Sequence, residues 1–480
     1  PIAAPKGFTE PWSDDEALVD VIRARLTGFG PLPVASIAAA LALPAPAVER
    51  ALTALEAQGY VMRGRFTPGA AAEEWCERHL LARIHRYTVR RLRREIEPVE
   101  RHDFMRFQFE WQHLTPGTRG EGRDALAAVL DQMAGFEAAA AAWEEDILPA
   151  RLKDYSITLL DELCRSGKLV WTRLTERAHA AAAPVRSTPI VLLPRRDIGL
   201  WSALIDLGEA AKLSPRAQSV YDALTQHGAM FFDELLGDTR LLGIELENAL
   251  GELVAAGLVN SDSFAGLRAL LKPVAKRQAH HSSRRPRGGA LIGGMDDAGR
   301  WALVRRRSAL GASEGASPMP PAGRAPLLAP EVLEHLAMTL LRRYGVVCWR
   351  LLAREAEWLP PWRDLLRVLQ RLEARGQVRG GRFINGLAGE QFALPEAIPL
   401  LREVRRHAND GAFVCVAGTD PLNLVGTLLP GDKVPAVAGN RVLYRDGVAV
   451  AALMAGEFIY LTNVDSETRE QMRIRLARRY

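Results

Sequence analysis

Residues 249–259 read ALGELVAAGLV, and the same pattern recurs at residues 51–61 (ALTALEAQGYV), 159–169 (LLDELCRSGKL) and 368–378 (VLQRLEARGQV). Each copy has two leucines three residues apart, a glycine four residues after the second leucine, and an apolar residue soon after the glycine. A spacing of three places both leucines on one face of a helix. Glycine is the residue that most readily ends a helix in the left-handed conformation. The pattern therefore predicts a helix, a tight stop and a β-strand, four times over.

The residues before and after these copies predict winged helices. Two shorter helical patterns with a proline-marked turn precede the first copy, and similar patterns precede the third and fourth. After the first copy, MRGRFTPG (62–69) is typical of a wing, and RGGRFING (379–386) is its counterpart after the fourth. Helix, short link, helix, longer helix and wing is the winged-helix order.

These patterns define a fold class and a domain plan. We expect a mainly α, α+β protein with tandem winged-helix modules followed by a small C-terminal β-barrel, because residues 412–460 alternate short β-branched or aromatic runs with turn dipeptides. The predicted segments are winged helices at 1–70, 101–200, 201–275 and 326–405, a basic connecting helix at 71–100, a basic Pro/Gly/Arg-rich linker at 276–325, and a β-barrel-like domain with a C-terminal helix at 406–480.

Composition indicates a globular chain of several domains. Its 480 residues exceed what one core usually organises, and 48% hydrophobic with 25% charged residues is ordinary for globular proteins. No apolar run approaches the length of a membrane span, and the first residues do not resemble a signal peptide. We therefore expect a cytoplasmic protein and, since the chain begins with Pro1, a processed or excised fragment.

Positive charge is concentrated although the net charge is only +5. Clustered arginines are typical of phosphate-binding segments. The alternative is that they cover solvated helix faces and a linker. The candidate DNA contacts are Arg63, Arg65, Arg83, Arg90, Arg91, Arg284, Arg285 and Arg287.

Several kinds of chemistry are absent from the sequence. No GxxxxGK[ST] phosphate loop occurs, so the chain is not expected to hydrolyse ATP. The four cysteines are far apart and predict no metal site. One polar group remains as a candidate groove, with Gln112, His113 and Glu137. A carboxylate beside a nucleic-acid-binding face could serve base excision, whereas the alternative is that these residues cap or bridge helices.

Four segments carry a resemblance to a known family. They are 78–99 (RHLLARIHRYTVRRLRREIEPV), 104–114 (FMRFQFEWQHL), 126–151 (LAAVLDQMAGFEAAAAAWEEDILPAR) and 160–171 (LDELCRSGKLVW). The chain resembles the C-terminal region of the bacterial large helicase-related proteins, Lhr, which are superfamily-2 DNA helicases. The resemblance implies an ATP-driven motor, with its ATP and magnesium, that translocates 3′ to 5′ on single-stranded DNA and is absent from this chain. It also implies a bacterial, nucleoid-associated protein with winged helices in series before a β-barrel, a link with DNA repair, and oligomer formation.

A more remote resemblance is to the AlkZ-type DNA glycosylases. Their first module carries a Gln-apolar-Gln or Gln-apolar-Asp catalytic motif, and alignment with residues 135–151 places Glu137 near the first polar position and Ala139 near the second. Glu137 is therefore the candidate catalytic residue of a glycosylase. Ala139 departs from the motif, because a methyl group cannot position water or a sugar.

The leading function hypothesis is a non-catalytic accessory region of a DNA-repair helicase. Its expected partners are single-stranded or branched DNA, its own motor domains and further copies of itself, with no membrane and no cofactor in this fragment. The alternatives are a DNA glycosylase-like base-excision module and a homo-oligomerisation scaffold.

Overall fold

The computed structural model describes residues 12–174, 185–205, 212–272, 295–304 and 328–477. The candidate contacts Arg284, Arg285 and Arg287 lie outside these residues. The chain forms two compact units, Pro1–Ile96 and Glu97–Tyr480, which we call the N-terminal and C-terminal units. Among the described residues no single helix is long and apolar enough to cross a bilayer, although one helix pair reaches that length with a bend of 116°.

The N-terminal unit contains the first winged helix, module 1. Its elements are α1 (Asp14–Leu26), β1 (Leu32–Pro33), α2 (Val34–Leu41), α3 (Ala45–Ala57), β2 (Val61–Gly64), β3 (Glu74–Glu77) and α4 (Arg78–Arg94). The antiparallel sheet has the order β1-β3-β2. Ser13 and Glu16 form a capping box at the start of α1, which satisfies helix N–H groups that would otherwise have no partner. Leu52 and Leu55 are fully buried in the core of this module.

Module 2 begins the C-terminal unit. Its elements are α5 (Arg101–Trp111), α6 (Gly122–Gln132), β4 (Ala138–Ala139), α7 (Ala140–Ala142), a π-helical turn (Trp143–Ile147), α8 (Leu148–Arg151), α9 (Ile157–Arg165), β5 (Leu169–Thr172), β6 (Pro189–Pro194) and α10 (Ile198–Ser202). Its sheet has the order β4-β6-β5.

Module 3 has the same plan. Its elements are α11 (Pro215–His227), β7 (Met230–Phe231), α12 (Phe232–Thr239), α13 (Gly243–Ala256), β8 (Val259–Ser261), α14 (Phe264–Leu271) and β9 (Arg300–Leu303). Strand β9 lies in the middle of the sheet, between β7 and β8, and carries the buried Trp301. The predicted linker at 276–325 therefore contains the closing strand of module 3, so the predicted boundary at 275 is too early.

Module 4 comprises α15 (Pro330–Tyr344), β10 (Val346–Val347), a 3₁₀ turn (Trp349–Arg354), α16 (Trp362–Ala374), β11 (Arg379–Gly381) and β12 (Gln391–Ala393), followed by α17 (Ala397–Arg406). Its sheet has the order β10-β12-β11. The winged-helix prediction is thus confirmed. In all four copies the leucine pairs are buried, and the glycines after them, Gly59, Gly167, Gly257 and Gly376, have positive φ angles.

The C-terminal domain differs from the prediction. Strands β13 (Phe413–Ala417), β14 (Arg441–Arg445), β15 (Val448–Met454) and β16 (Glu457–Tyr460) form an antiparallel sheet in sequence order. Among the described residues β13 and β16 do not pair with each other, so the sheet is open and the closed barrel is not found. Helix α18 (Ser466–Ala477) instead packs Met472 and Leu476 against Leu443 and Ala451. Because α18 covers one face of the sheet, the apolar side chains on that face are buried without the sheet having to close into a barrel.

Candidate nucleic-acid interface

Helix α16 carries a row of arginines on its outer face. Arg363, Arg367, Arg371 and Arg375 recur at every fourth position, while Leu365, Val368, Leu369 and Leu372 are buried on the opposite face. Such spacing keeps the four guanidinium groups on neighbouring turns of one side of the helix. The winged-helix fold places this third helix where it can enter a DNA groove.

The arginine row is open to solvent and only weakly neutralised. The side chains of Arg363 and Arg367 are 80% and 75% exposed, and both lie 3.6–3.7 Å from the single carboxylate of Asp364. Arg375 pairs with Glu334 at 2.9 Å. No carboxylate of the described residues lies within ion-pairing distance of the exposed Arg371. The four arginines of the row therefore have only two acidic neighbours, Asp364 and Glu334, and the row keeps an excess of positive charge that can attract phosphate groups.

The wing of module 4 is held rigidly beside this helix. The buried Gln391 side chain accepts hydrogen bonds from the backbone N–H groups of Phe383 and Ile384 at 2.9 and 2.8 Å. Val99, just before α5, forms a β-bridge with Ile384. Arg382 stays exposed on the same wing. Arg382 and the arginine row were missed by the sequence prediction, although the four-residue spacing of the row was visible in WRDLLRVLQRLEAR.

The repeat register shows that the other three modules lack this row. Aligned on the leucine pairs, the positions of Arg363, Arg367, Arg371 and Arg375 are filled in module 1 by Pro46, Arg50, Ala54 and Gln58, in module 2 by Asp154, Thr158, Glu162 and Ser166, and in module 3 by Ile244, Asn248, Glu252 and Ala256. A single arginine among these twelve positions carries much less attraction for phosphate than four in series.

In module 3 the equivalent helix is also buried. Within α13 only Asn248 is exposed. The helix packs against α11, α12, β8 and the short 3₁₀ turn Val185–Ser187. The carboxylate of Glu252 accepts hydrogen bonds from the backbone N–H and the hydroxyl of Ser214, both at 2.7 Å. Helix α13 therefore belongs to the interior of the C-terminal unit and cannot enter a DNA groove in this arrangement.

The two wing candidates of module 1, Arg63 and Arg65, lie in different environments. Arg63 lies on β2 within 3.9 Å of Glu56 and 3.7 Å of Glu73, with its guanidinium 5.6 Å from the centre of the Trp75 ring. Arg65 is exposed on the wing that follows. Acidic neighbours therefore partly neutralise Arg63.

The wing of module 1 is tied to its own sheet. The carboxylate of Glu74 accepts the backbone N–H groups of Phe66 and Thr67 at 2.9 and 2.8 Å. The bond from Thr67 lowers the pKa of Glu74.

The candidate contacts on α4 are exposed as well. Arg83 and Arg90 lie on the solvent side of the helix, and Arg91 pairs with Glu95 at 3.1 Å. Helix α4 buries none of its side chains. Its two open arginines therefore remain candidates.

Gln112 does not line a groove. It is fully buried, and its amide donates to the Arg343 carbonyl at 2.9 Å while its oxygen accepts from Arg151 at 2.8 Å. His113 is half-buried, with Nδ1 3.0 Å from the Thr118 carbonyl, and burial lowers its pKa. Both side chains are committed to internal bonds, which is the bridging alternative that the sequence left open.

Glu137 lies between α6 and β4, where it is half-buried, and Ala139 is part of β4. The glycine two residues earlier is tightly constrained: Gly135 has a φ of +75°, and a Cβ there would lie 2.0 Å from the Trp201 ring. The GFE segment is therefore fixed by packing, whatever chemistry Glu137 carries.

Buried ion pairs join the distant parts of the C-terminal unit. Arg151, at the end of the LPAR segment, makes a two-pronged salt bridge to Asp420 at 2.6 and 3.0 Å with both side chains essentially unexposed. Arg343 pairs with the buried Glu355 and also donates to the Ala134 carbonyl at 2.6 Å. Such pairs are geometrically demanding and strongly coupled to the fold.

The π-helical turn directs two acids to different partners. Glu144 accepts hydrogen bonds from Arg268 at 2.7 and 2.8 Å and from the Tyr155 hydroxyl at 2.9 Å. Asp146 lies 3.5 Å from Arg441. The WQH, AAWE and LPAR segments, which carry the family resemblance, thus supply structural links between modules. Among the described residues no cluster of His, Cys, Asp or Glu could hold a metal ion.

The architecture defines a class of protein: a series of winged-helix modules that ends in an open antiparallel sheet. Residues 99–195 and 328–413 match family models that are each described as a winged-helix domain of the large helicase-related protein. The chain corresponds to the C-terminal region of this family, as the resemblance implied.

Two curated relatives extend the match to most of the chain. It is 30% identical over 485 residues to the Lhr helicase/probable uracil glycosylase of Mycolicibacterium smegmatis, an alignment that covers 96% of this chain and 29% of that protein. It is 28% identical over 451 residues to the Lhr helicase/uracil glycosylase of Escherichia coli, covering 85% of this chain and 27% of that protein. The chain therefore spans less than a third of the length of either relative.

Proposed function

We propose that this chain is a DNA-binding accessory region of a helicase-related protein, and that module 4 supplies its main duplex contact. The observation that carries the proposal is the exposed arginine row of α16 beside a rigid wing. An α-helix fits the major groove of B-DNA, and guanidinium groups along its flank can neutralise phosphates of the groove wall.

The test is a titration of labelled duplex DNA with the whole chain at low and moderate salt. We expect affinity that falls steeply with salt, and a salt slope reduced by about one for each arginine removed from the row by substitution with glutamine. Arg216 and Arg240 are exposed arginines of module 3 and provide the matched control. Equal losses in the Arg367→Gln/Arg371→Gln and Arg216→Gln/Arg240→Gln variants would overturn the proposal.

The helicase activity, the ATP and magnesium it needs, and a role in DNA repair are proposed for the longer protein. Both relatives are named as helicases, and this chain carries no phosphate loop. Cytoplasmic location and self-association belong to the same proposal. Light scattering across a concentration series tests self-association independently of DNA.

Base excision is the second candidate function, because the Escherichia coli relative is named a uracil glycosylase and the Mycolicibacterium smegmatis relative a probable uracil glycosylase. Glu137 is the candidate residue. A uracil-containing single strand is incubated with the chain and the abasic product is cleaved with alkali. Abasic product that the wild-type chain forms and the Glu137→Gln variant does not form supports a catalytic role for Glu137. Unchanged product formation by the variant excludes that role.

A further inference from the structure

Helix α4 presents an aromatic ring on an open basic surface. Tyr87 is 68% exposed and Ile84 is 36% exposed, and their spacing of three places both side chains on one face of the helix. A shallow cavity of about 450 Å³ is lined by Leu80, Arg83, Ile84, Arg86, Tyr87 and Arg90. We call these six residues the Tyr87 platform.

The arginines of the Tyr87 platform are available for an outside anion. No carboxylate of the described residues lies within ion-pairing distance of Arg83, Arg86 or Arg90, whereas Arg91 on the same helix pairs with Glu95. Positions three and four residues from Tyr87 place Arg83 and Arg90 beside the ring. The surface therefore combines one flat aromatic face with three unneutralised guanidinium groups.

This combination favours single-stranded nucleic acid over other occupants. Stacking on aromatic side chains in a basic groove is how single strands are held without sequence preference. Bases in a duplex are stacked on each other and offer no face to Tyr87. Three of the six lining residues carry positive charge, and such a cluster matches the closely spaced phosphates of a nucleic-acid strand.

We propose that the Tyr87 platform binds single-stranded DNA, with Tyr87 stacked on one base and Arg83, Arg86 and Arg90 contacting the adjacent phosphates. The inference rests on the proposed DNA-binding function but assigns a different strand type to a different surface. Module 4 takes duplex, and α4 takes a single strand.

The test compares Tyr87→Ala with Tyr87→Phe in the whole chain, using labelled oligo(dT) and a labelled duplex. We expect Tyr87→Ala to weaken oligo(dT) binding by about 5-fold or more, the effect of losing one stacked base. Tyr87→Phe keeps the ring and should keep the affinity. Duplex binding should be unchanged in both variants and should fall only when the arginine row is altered.

The outcomes separate the two proposals. Oligo(dT) binding that is equal in wild type and Tyr87→Ala overturns the inference, and so does a wild-type chain that binds duplex alone. A chain that binds neither DNA overturns the proposed function as well. A changed mass in light scattering for Tyr87→Ala, with unchanged DNA affinity, overturns the inference in favour of a protein contact.

A direct readout is photo-crosslinking to oligo(dT) that carries one 5-iodouracil. The expected adduct maps to Tyr87 by mass spectrometry and is lost in Tyr87→Ala. Adducts only outside residues 78–94 would overturn the proposal.

Discussion

Helices α13 and α16 occupy the same position in two winged helices, and their inner faces are alike. Leu250 and Leu253 are buried in α13 as Leu369 and Leu372 are in α16. Their outer faces have opposite environments. The face of α16 carries arginines in solvent, whereas the same positions of α13 hold Ile244, Asn248, Glu252 and Ala256, of which only Asn248 is exposed.

The difference shows that the winged-helix fold by itself does not decide whether DNA is bound. In α13, Gly251 lets the helix pack close to Val185, since a Cβ at position 251 would lie 3.1 Å from the Val185 side chain. Glu252 uses its charge to hold the start of α11. The third helix of module 3 has thus become part of the core, and module 4 keeps the exposed surface that a recognition helix needs.

The largest expected effect concerns the buried ion pair that joins α8 of module 2 to the segment after β13. Arg151→Gln leaves Asp420 as a buried charge without its two-pronged partner and should lower the free energy of unfolding by about 3–5 kcal/mol. Urea unfolding followed by tryptophan fluorescence measures it. Arg123→Gln, at an exposed position on α6, is the control. A loss no larger than that of the control would mean that this ion pair does not stabilise the fold.

A smaller effect is expected at the Glu252 position of α13. Glu252→Gln removes the charge from its two bonds to Ser214 and should cost about 1–2 kcal/mol of unfolding free energy, without changing DNA affinity. The same urea titration and a duplex-binding assay measure both quantities. A loss of DNA affinity with unchanged stability would contradict the assignment of α13 to the interior.

The equivalent substitution in α16 should have the reverse profile. Arg371→Gln should reduce the salt slope of duplex binding by about one, while stability stays within about 0.5 kcal/mol, because Arg371 is exposed. Duplex titrations at several salt concentrations measure the slope. If Arg371→Gln destabilises the fold and leaves the slope intact, the two helices do not differ as described.

The smallest effect is a pH dependence within module 4. His335 on α15 packs against the Trp201 ring, with ring centres 5.8 Å apart, and burial lowers its pKa against a smaller opposing effect of Asp197. The unfolded chain then binds the proton more tightly, so stability rises with pH. His335 should therefore contribute its full stability above about pH 6.5, and this is lost as the pH falls through its lowered folded-state pKa.

The control for this pH effect is His335→Gln, measured by urea unfolding across the same pH range. The variant should show a flatter profile between neutral and acid pH than the wild type. His113 has a pKa lowered in the same direction, so some pH dependence remains in the variant. Identical profiles would show that His335 does not titrate with folding.

The sequence was sufficient for the repeated elements because their signals are local. A leucine pair and a glycine define a helix end within a few residues, and Gly59, Gly167, Gly257 and Gly376 all have the expected positive φ. Strand β9 was missed because about forty residues separate it from β8 along the chain. Short apolar runs alternating with turn dipeptides predicted the strands of the C-terminal sheet. Whether β13 pairs with β16 to close a barrel depends on which element covers the sheet, and that is not a local property of the sequence.

The candidate site was only partly predictable for a similar reason. Arginine clusters are visible in the sequence, but the sequence does not show which arginines reach solvent. Arg367 is exposed and Arg151 is buried, because packing between modules determines the exposure of each side chain. The sequence predicts Gln112 as a groove residue, because no neighbouring residue along the chain indicates that Arg151 and the Arg343 carbonyl surround its side chain.

The most direct test of the central claim places a short cysteine-linked photo-crosslinker at equivalent exposed sites on the two helices. Asn248→Cys marks α13 and Arg367→Cys marks α16, which share one position of the repeat, and three of the four native cysteines are buried. Each labelled chain is irradiated with duplex DNA at low salt. We expect adducts from position 367 and none from position 248; adducts from 248, or equal yields from both, would show that α13 reaches the DNA as α16 does.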